Sequence, residues 1–356
     1  MVCQCLTILV CILVFWAGIL QCNAQGSPVS AADPPPHHGP KGFRNIHVHP
    51  KHGFLDFLRW QFGGGPLEKA SIPHQDEPQF IPDIEKPNFN HISQPDPECI
   101  QVTWIGHSTF LIQVEGYNIL TDPMFSERAS PVSFAGPKRW VPPGIPISDL
   151  PFIHAVIISH NHYDHLDAPT VERLGNLTRY FVPKGLSQWF RKRNIVNVVE
   201  MDWWESSQFG TIRFHAVPIQ HFSSRTLFDR NDTLWAGWVI ETGAGNIFFS
   251  GDTGYAPLFK EIGRKLGTIR LSFIPVGGYC PRWFMRPMHV DPPEAVMIHK
   301  DLASEQSVGM HWGTFKLTDE PMAEPPLYLK KSLKEAGIPE NAFAVMKVGE
   351  TRIFEP

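Results

Sequence analysis

The sequence predicts an α/β domain over residues 99–356, on three observations. Short strand-like apolar runs alternate with helical patterns along this whole region. Candidate ligand residues stand directly after several of those runs, where α/β folds gather their ligand sites. No internal repeat of 20–50 residues is present, so the alternation belongs to one domain and not to an array.

The elements follow in chain order. Residues 6–20 are apolar and uncharged, with Cys22 and Ala24 at the −3 and −1 positions of a cut before Gln25. This is the layout of a secretory signal peptide, without the usual basic n-region, or alternatively of an uncleaved anchor. Residues 1–24 are therefore expected to send the chain into the secretory pathway, either lumenal, secreted or anchored. Sequons at Asn176 and Asn231 agree with that compartment.

Residues 25–98 hold 13 of the 34 prolines, where an even spread would give about 7. Proline removes the amide donors that helices and ladders need, so this arm is expected to be largely irregular. The exception is 53–62, where Phe54, Leu55, Phe57, Leu58 and Phe62 fall near helical spacing. That face either packs on the main domain or dips into lipid. His37, His38, His47, His49 and His52 lack a fixed ligand pattern and are expected at the surface.

Strands are expected at 100–104, 109–114, 155–159, 211–217, 235–241, 247–249, 271–276 and 307–310. Helices are expected at 168–174, 186–193, 258–265, 292–300 and 326–336. Asp291 before two prolines is a strong helix start, with a capping side chain and proline in the first turn.

Composition narrows the function classes. With 42 % hydrophobic residues the chain can bury a sizeable core, and 25 Phe and 11 Trp exclude wholesale disorder. A net charge of −4 argues against a nucleic-acid clamp. Outside the leader only Cys99 and Cys280 remain, paired or free, and no Cys-x-x-Cys offers a thiolate zinc site.

The chemistry lies in His160, His162, Asp164 and His165, four ligand-type side chains within six residues after an apolar strand. A strand-to-helix turn lets them converge without distorting a regular element, and imidazole and carboxylate are ligands that zinc accepts. His221, Asp252 and His311 each follow another strand. Seven ligands suit two metal ions, two clusters of three plus one shared carboxylate, with Asp252 expected to bridge because its two oxygens can each hold one ion.

These residues resemble the metallo-β-lactamase superfamily, whose signature is His-x-His-x-Asp-His with later His, Asp and His ligands. The segments at 103–109 (TWIGHST), 120–123 (LTDP), 136–139 (GPKR), 249–255 (FSGDTGY), 281–284 (PRWF), 289–292 (HVDP) and 311–315 (HWGTF) are similar to the N-acylphosphatidylethanolamine-hydrolysing phospholipase D family. The likeness runs from about residue 99 to 356. It implies a four-layer αβ/βα sandwich with a binuclear zinc site, two Zn²⁺ per chain. By that likeness His160, His162 and His221 hold one zinc, Asp164, His165 and His311 the other, and Asp252 bridges.

The likeness also implies hydrolysis of N-acylphosphatidylethanolamine to N-acylethanolamine and phosphatidic acid, by attack of a bridging hydroxide on phosphorus. Asp164 or His289 would pass a proton to the leaving alcohol. Met288 and Cys280 depart from the family pattern, which carries Gln and an acidic residue there. A membrane-surface phospholipid is the implied partner, with a homodimer as a family-based expectation. Arg128, Lys138 and Arg139 are either headgroup contacts or ordinary solvated charges. The rival reading is another metallo-hydrolase of the fold, a lactonase or general phosphodiesterase; His and not Glu at position 162 favours zinc over a di-iron relative.

Overall fold

A computed structural model describes residues 34–47, 49–50, 52–64 and 82–355; the predicted leader over 1–24 lies outside them. The chain divides after Pro36, and the unit from His37 onward is the subject below. Among the described residues no helix is long and apolar enough to cross a membrane.

The first sheet takes β1 (Ile100–Gly106), β2 (Thr109–Val114), β3 (Tyr117–Thr121), β4 (Ala155–Ile157), β5 (Arg179–Pro183) and β6 (Val198–Met201). Tight turns make β1 to β3 an antiparallel meander, after which β4, β5 and β6 add in parallel. The second sheet takes β7 (Ser206–Phe209), β8 (Ile212–Val217), β9 (Gly237–Glu241), β10 (Asn246–Phe249), β11 (Ile269–Pro275), β12 (Gln306–Met310) and β13 (Phe343–Val345). It too begins antiparallel and continues in parallel from β10 to β13. Finally β14 (Thr351–Phe354) returns to the first sheet and pairs antiparallel with β1.

The described helices are α1 (Phe54–Gln61), α2 (Phe89–Ser93), α3 (Ala168–Leu174), α4 (Ser187–Arg191), α5 (Leu258–Leu266), α6 (Arg282–Met285), α7 (Pro292–Asp301) and α8 (Glu324–Ala336). Because parallel strands need crossovers, helices cover the outer face of each sheet. Val171 of α3 and Phe190 of α4 pack on Leu111, Leu120, Val156 and Tyr180. On the other side Phe259, Ile262, Ile298 and Leu333 from α5, α7 and α8 join the second sheet. Between the sheets, Phe110 meets Phe273 at 4.5 Å and Phe181 stacks on Phe214 at 4.0 Å between ring centres. Burial of such side chains contributes about 1.5–3 kcal/mol each. The fold is therefore the α/β domain that the sequence pattern predicts, in the four-layer sandwich that the family resemblance implies.

Local agreement is close where the apolar signal is strong. Asp291 caps α7 by accepting from the Glu294 amide, as expected. Strands β3, β5, β6, β7, β13 and β14 and helices α2 and α6 are additional to the elements that the sequence pattern predicts. They are three to five residues long and several carry exposed or half-buried positions, so their apolar signal is weak. The arm is more integral than its composition suggests. His37 is buried, stacked on Trp203 at 4.3 Å, and both His37 and His38 donate to the Asp202 carboxylate at 2.6 Å. His47, His49 and His52 are half-buried. The surface expectation for His37 is thus corrected: a carboxylate on the main body gives it a partner that sequence spacing does not reveal.

Candidate metal centre

The centre is built at the carboxyl ends of strands. His160, His162, Asp164 and His165 lie on the turn between β4 and α3; His221 follows β8, Asp252 follows β10 and His311 follows β12. Two glycines let these segments close in. A Cβ on Gly251, at φ +60°, would lie 2.3 Å from Ser159 Cβ; one on Gly278, at φ +83°, would lie 2.9 Å from the His311 ring.

The donors separate into two groups. His162 Nδ1 is 2.8 Å from His160 Nε2 and 3.4 Å from His221 Nε2. Asp164 Oδ2 is 3.2 Å from His165 Nε2 and 3.4 Å from His311 Nε2. Asp252 Oδ2 stands between them, 3.1 Å from His165 and His311 Nε2 and 4.0 Å from His160 and His221 Nε2. His289 Nδ1 is 3.9 Å from the same oxygen. All eight residues singled out from the sequence therefore meet at one place.

Hydrogen bonds aim these donors inward. His160 Nδ1 donates to Ser159 Oγ, His221 Nδ1 to the Met288 carbonyl and His165 Nδ1 to Asp122 Oδ2 at 2.7 Å. Each bond fixes Nδ1 and turns Nε2 toward the centre, as metal-ligating histidines require. The Met288 contact is a backbone one, so the departure at that position leaves His221 anchored. Yet Asp252 Oδ1, His165 Nε2 and His311 Nε2 are buried without a hydrogen-bond partner. Unpartnered buried polar atoms cost free energy, and divalent cations among these nitrogen and oxygen donors remove that cost. The residues present fit a metal site.

Electrostatics divides the groups further. Burial, then repulsion from neighbouring imidazoles, holds His160 well below its ordinary value. Burial likewise takes His162 to about 4 and both His221 and His289 to about 3, against the pull of Asp252. For His165 and His311 burial acts downward too, but Asp252 and Asp164 outweigh it: His165 rises well above its ordinary value and His311 to about 9.

Two contributors had no role assigned from sequence. His107, left-handed at φ 56° after β1, donates to Asp164 Oδ2 at 3.0 Å. Asp122, left-handed at φ 32° after β3, accepts from His165 and from the Ser159 amide and hydroxyl. The signal lay in the TWIGHST and LTDP segments, where each stands just past an apolar run. Among the three candidate headgroup cations, Arg139 is buried and donates to the Met124 and Ser126 carbonyls, Lys138 pairs with Glu127 at 2.8 Å, and Arg128 donates to the Gly136 carbonyl. None lines the cavity over the centre, so the headgroup alternative is not supported for them. Cys99 and Cys280 are not bonded to each other.

That cavity has a volume of about 530 Å³. Asp164, Asp252, His162, His289 and His311 form its polar floor, and Phe57, Trp60, Phe222, Phe284, Met285 and Leu317 much of its wall. The arm closes one side: Trp60 Nε1 donates to Asp319 at 2.7 Å, and His52 packs against Phe284.

Residues 117–312 match the family model described as the β-lactamase superfamily domain. Two solved structures share the fold: Igni18, a metallo-hydrolase from Ignicoccus hospitalis (22 % identity, TM-score 0.55, 72 % of this chain and 99 % of that one), and an isothiocyanate hydrolase from Delia radicum gut bacteria (19 %, TM-score 0.58, 72 % and 100 %). The protein is a metallo-hydrolase of the β-lactamase fold. N-acyl-phosphatidylethanolamine-hydrolyzing phospholipase D 1 of Caenorhabditis elegans is 42 % identical over 263 residues, 70 % of this chain and 74 % of that protein. The mitochondrial enzyme of that name from Saccharomyces cerevisiae is 32 % identical over 82 % of this chain and 63 % of its own length. Within the superfamily, the chain belongs to the N-acylphosphatidylethanolamine-hydrolysing phospholipase D family.

Proposed function

We propose that the chain is a dizinc phospholipase D that hydrolyses N-acylphosphatidylethanolamine to N-acylethanolamine and phosphatidic acid. The observation that carries the reading is the partition of seven donors into two groups joined by Asp252, at the floor of an apolar cavity. His160, His162 and His221 would hold one ion, Asp164, His165 and His311 the other, with Asp252 shared. The His-rich donor set favours zinc. Bound there, the ions supply Lewis acidity and a water of lowered pKa.

The chain's own groups do the rest. The apolar wall excludes water and takes acyl chains. Asp164 or His289 would pass a proton to the departing alcohol. Lipid contact is supported by Leu55 (80 % exposed) and Phe62 (84 %) on and beside α1, and by Leu227 (84 %) and Phe228 (88 %). Phe57 on the same helix and Leu227 also line the cavity. The leader at 1–24 would deliver the protein to the secretory pathway as a peripheral membrane enzyme.

The test is mass spectrometry of products from the zinc-loaded full chain given N-acylphosphatidylethanolamine in mixed micelles. Chelator-sensitive release of N-acylethanolamine with phosphatidic acid is expected. Two bound metals with no release, but turnover of a lactone or a simpler phosphodiester, would replace this reading with another hydrolase of the fold.

A further inference from the structure

Among the described residues, Arg230 is the single Lys or Arg whose side chain lines the cavity over the metal centre. Its guanidinium carbon lies 4.2 Å from the centre of the Phe222 ring. Phe222 in turn meets His162 edge-on at 4.6 Å and lies 4.9 Å from His221 between ring centres. One aromatic ring therefore separates a positive charge from two imidazoles of the donor set. Cation–π attraction holds the guanidinium over that ring. The adjacent Asp229 carboxylate accepts instead from the Arg225 and Thr226 amides. Among the described residues no carboxylate pairs with Arg230.

Phospholipid headgroups differ in what balances their phosphodiester. In phosphatidylethanolamine and phosphatidylcholine a terminal ammonium cancels the phosphate charge. N-acylation turns the amine into a neutral amide and leaves the headgroup net anionic. We propose that Arg230 is the charge selector of this cavity, favouring phosphodiesters with a net anionic headgroup and disfavouring those that end in an ammonium. The proposal rests on the phospholipase reading and adds a cause for its choice of substrate. An anion gains a charge-assisted partner at the guanidinium, whereas an ammonium meets a like charge at the exposed wall of the cavity.

The test compares the metal-loaded full chain with Arg230→Gln, Arg230→Lys and Arg230→Glu. Two water-soluble lipids serve as probes: dihexanoyl phosphatidylethanolamine N-acetylated at its amine, and dihexanoyl phosphatidylcholine. Calorimetric Kd values are read beside kcat and KM. For Arg230→Gln, Kd and KM for the N-acyl lipid are expected to rise on the order of tenfold, with a smaller change in kcat. Arg230→Lys is expected to recover most of the selectivity, and Arg230→Glu to reverse the ratio of the two Kd values. A ratio unchanged in all three variants overturns charge selection while leaving turnover, and with it the phospholipase reading, intact. Selective binding of the anionic lipid by wild type with no turnover of it, lost in Arg230→Gln, would sink the phospholipase reading and support the selector.

Discussion

The His160–His162–His221 group and the Asp164–His165–His311 group share one carboxylate but hold protons in opposite ways. Three crowded imidazoles away from any ligating carboxylate of their own stay neutral, with His162 near 4 and His221 near 3. On the other side, Asp164 and Asp252 keep His165 and His311 protonated, His311 up to about 9. Burial pushes all of these imidazoles the same way; the position of the carboxylates decides the outcome. The first group is thus ready to accept a cation at neutral pH, while the second must give up protons to do so.

Asp252→Asn is expected to have the largest effect, because it strikes both groups. Metal content by mass spectrometry should fall, and turnover should drop more than the roughly 100-fold that loss of an outer partner can cost. Near-native circular dichroism with wild-type turnover would break the view that Asp252 joins the groups. Asp122→Asn takes the charge from the partner of His165 Nδ1 and should weaken mainly the second group, by about 10–100-fold in metal affinity. Chelator competition should then resolve one tight and one weakened ion; equal weakening of both would erase the distinction.

The proton asymmetry gives a third prediction with two opposite signs. A His whose folded value is raised adds stability below its unfolded value and loses it as pH rises through the folded value. For the metal-free chain, thermal stability should therefore decline between pH 6.5 and about 9 as His311 deprotonates. Metal affinity of the second group should climb over that same window. Calorimetry in buffers of different ionisation enthalpy should register proton release on metal binding at pH 7.

The smallest effect is expected from the arm segment around Asn45, which touches the first group. Asn45 Nδ2 donates to the His221 carbonyl at 2.8 Å, and His37 and His38 fix that segment to Asp202. Asp202→Ala should cost about 1–3 kcal/mol in a thermal melt and lower the affinity of the first group a few-fold, without moving the second.

The centre was legible in sequence wherever donors crowd together or follow an apolar strand, as His160 to His165, His221, Asp252 and His311 do. His107 and Asp122 act through a neighbour, and a lone polar residue after a strand has no spacing that announces such a role. Asp202 and His37 lie 165 positions apart, and only tertiary folding joins them. Arg230 is similarly silent, since its meaning comes from the absence of other cations around one cavity. In the fold, strong apolar runs located the central strands, whereas β7, with its half-exposed Ser206-Ser-Gln-Phe209, has almost no apolar pattern to read.

The return of β14 to β1 has a consequence for biosynthesis. Thr103 and Thr351 face each other across 248 positions of sequence. At ribosomal speeds of about 5–20 residues per second, β1 waits roughly 12–50 s for the partner that closes its outer edge. Its seven residues are all buried in the finished protein, so the nascent strand offers an apolar, unpaired ladder to any other chain nearby. Loss of residues 351–354 would spare every donor of the centre and still leave that ladder permanently open to self-association.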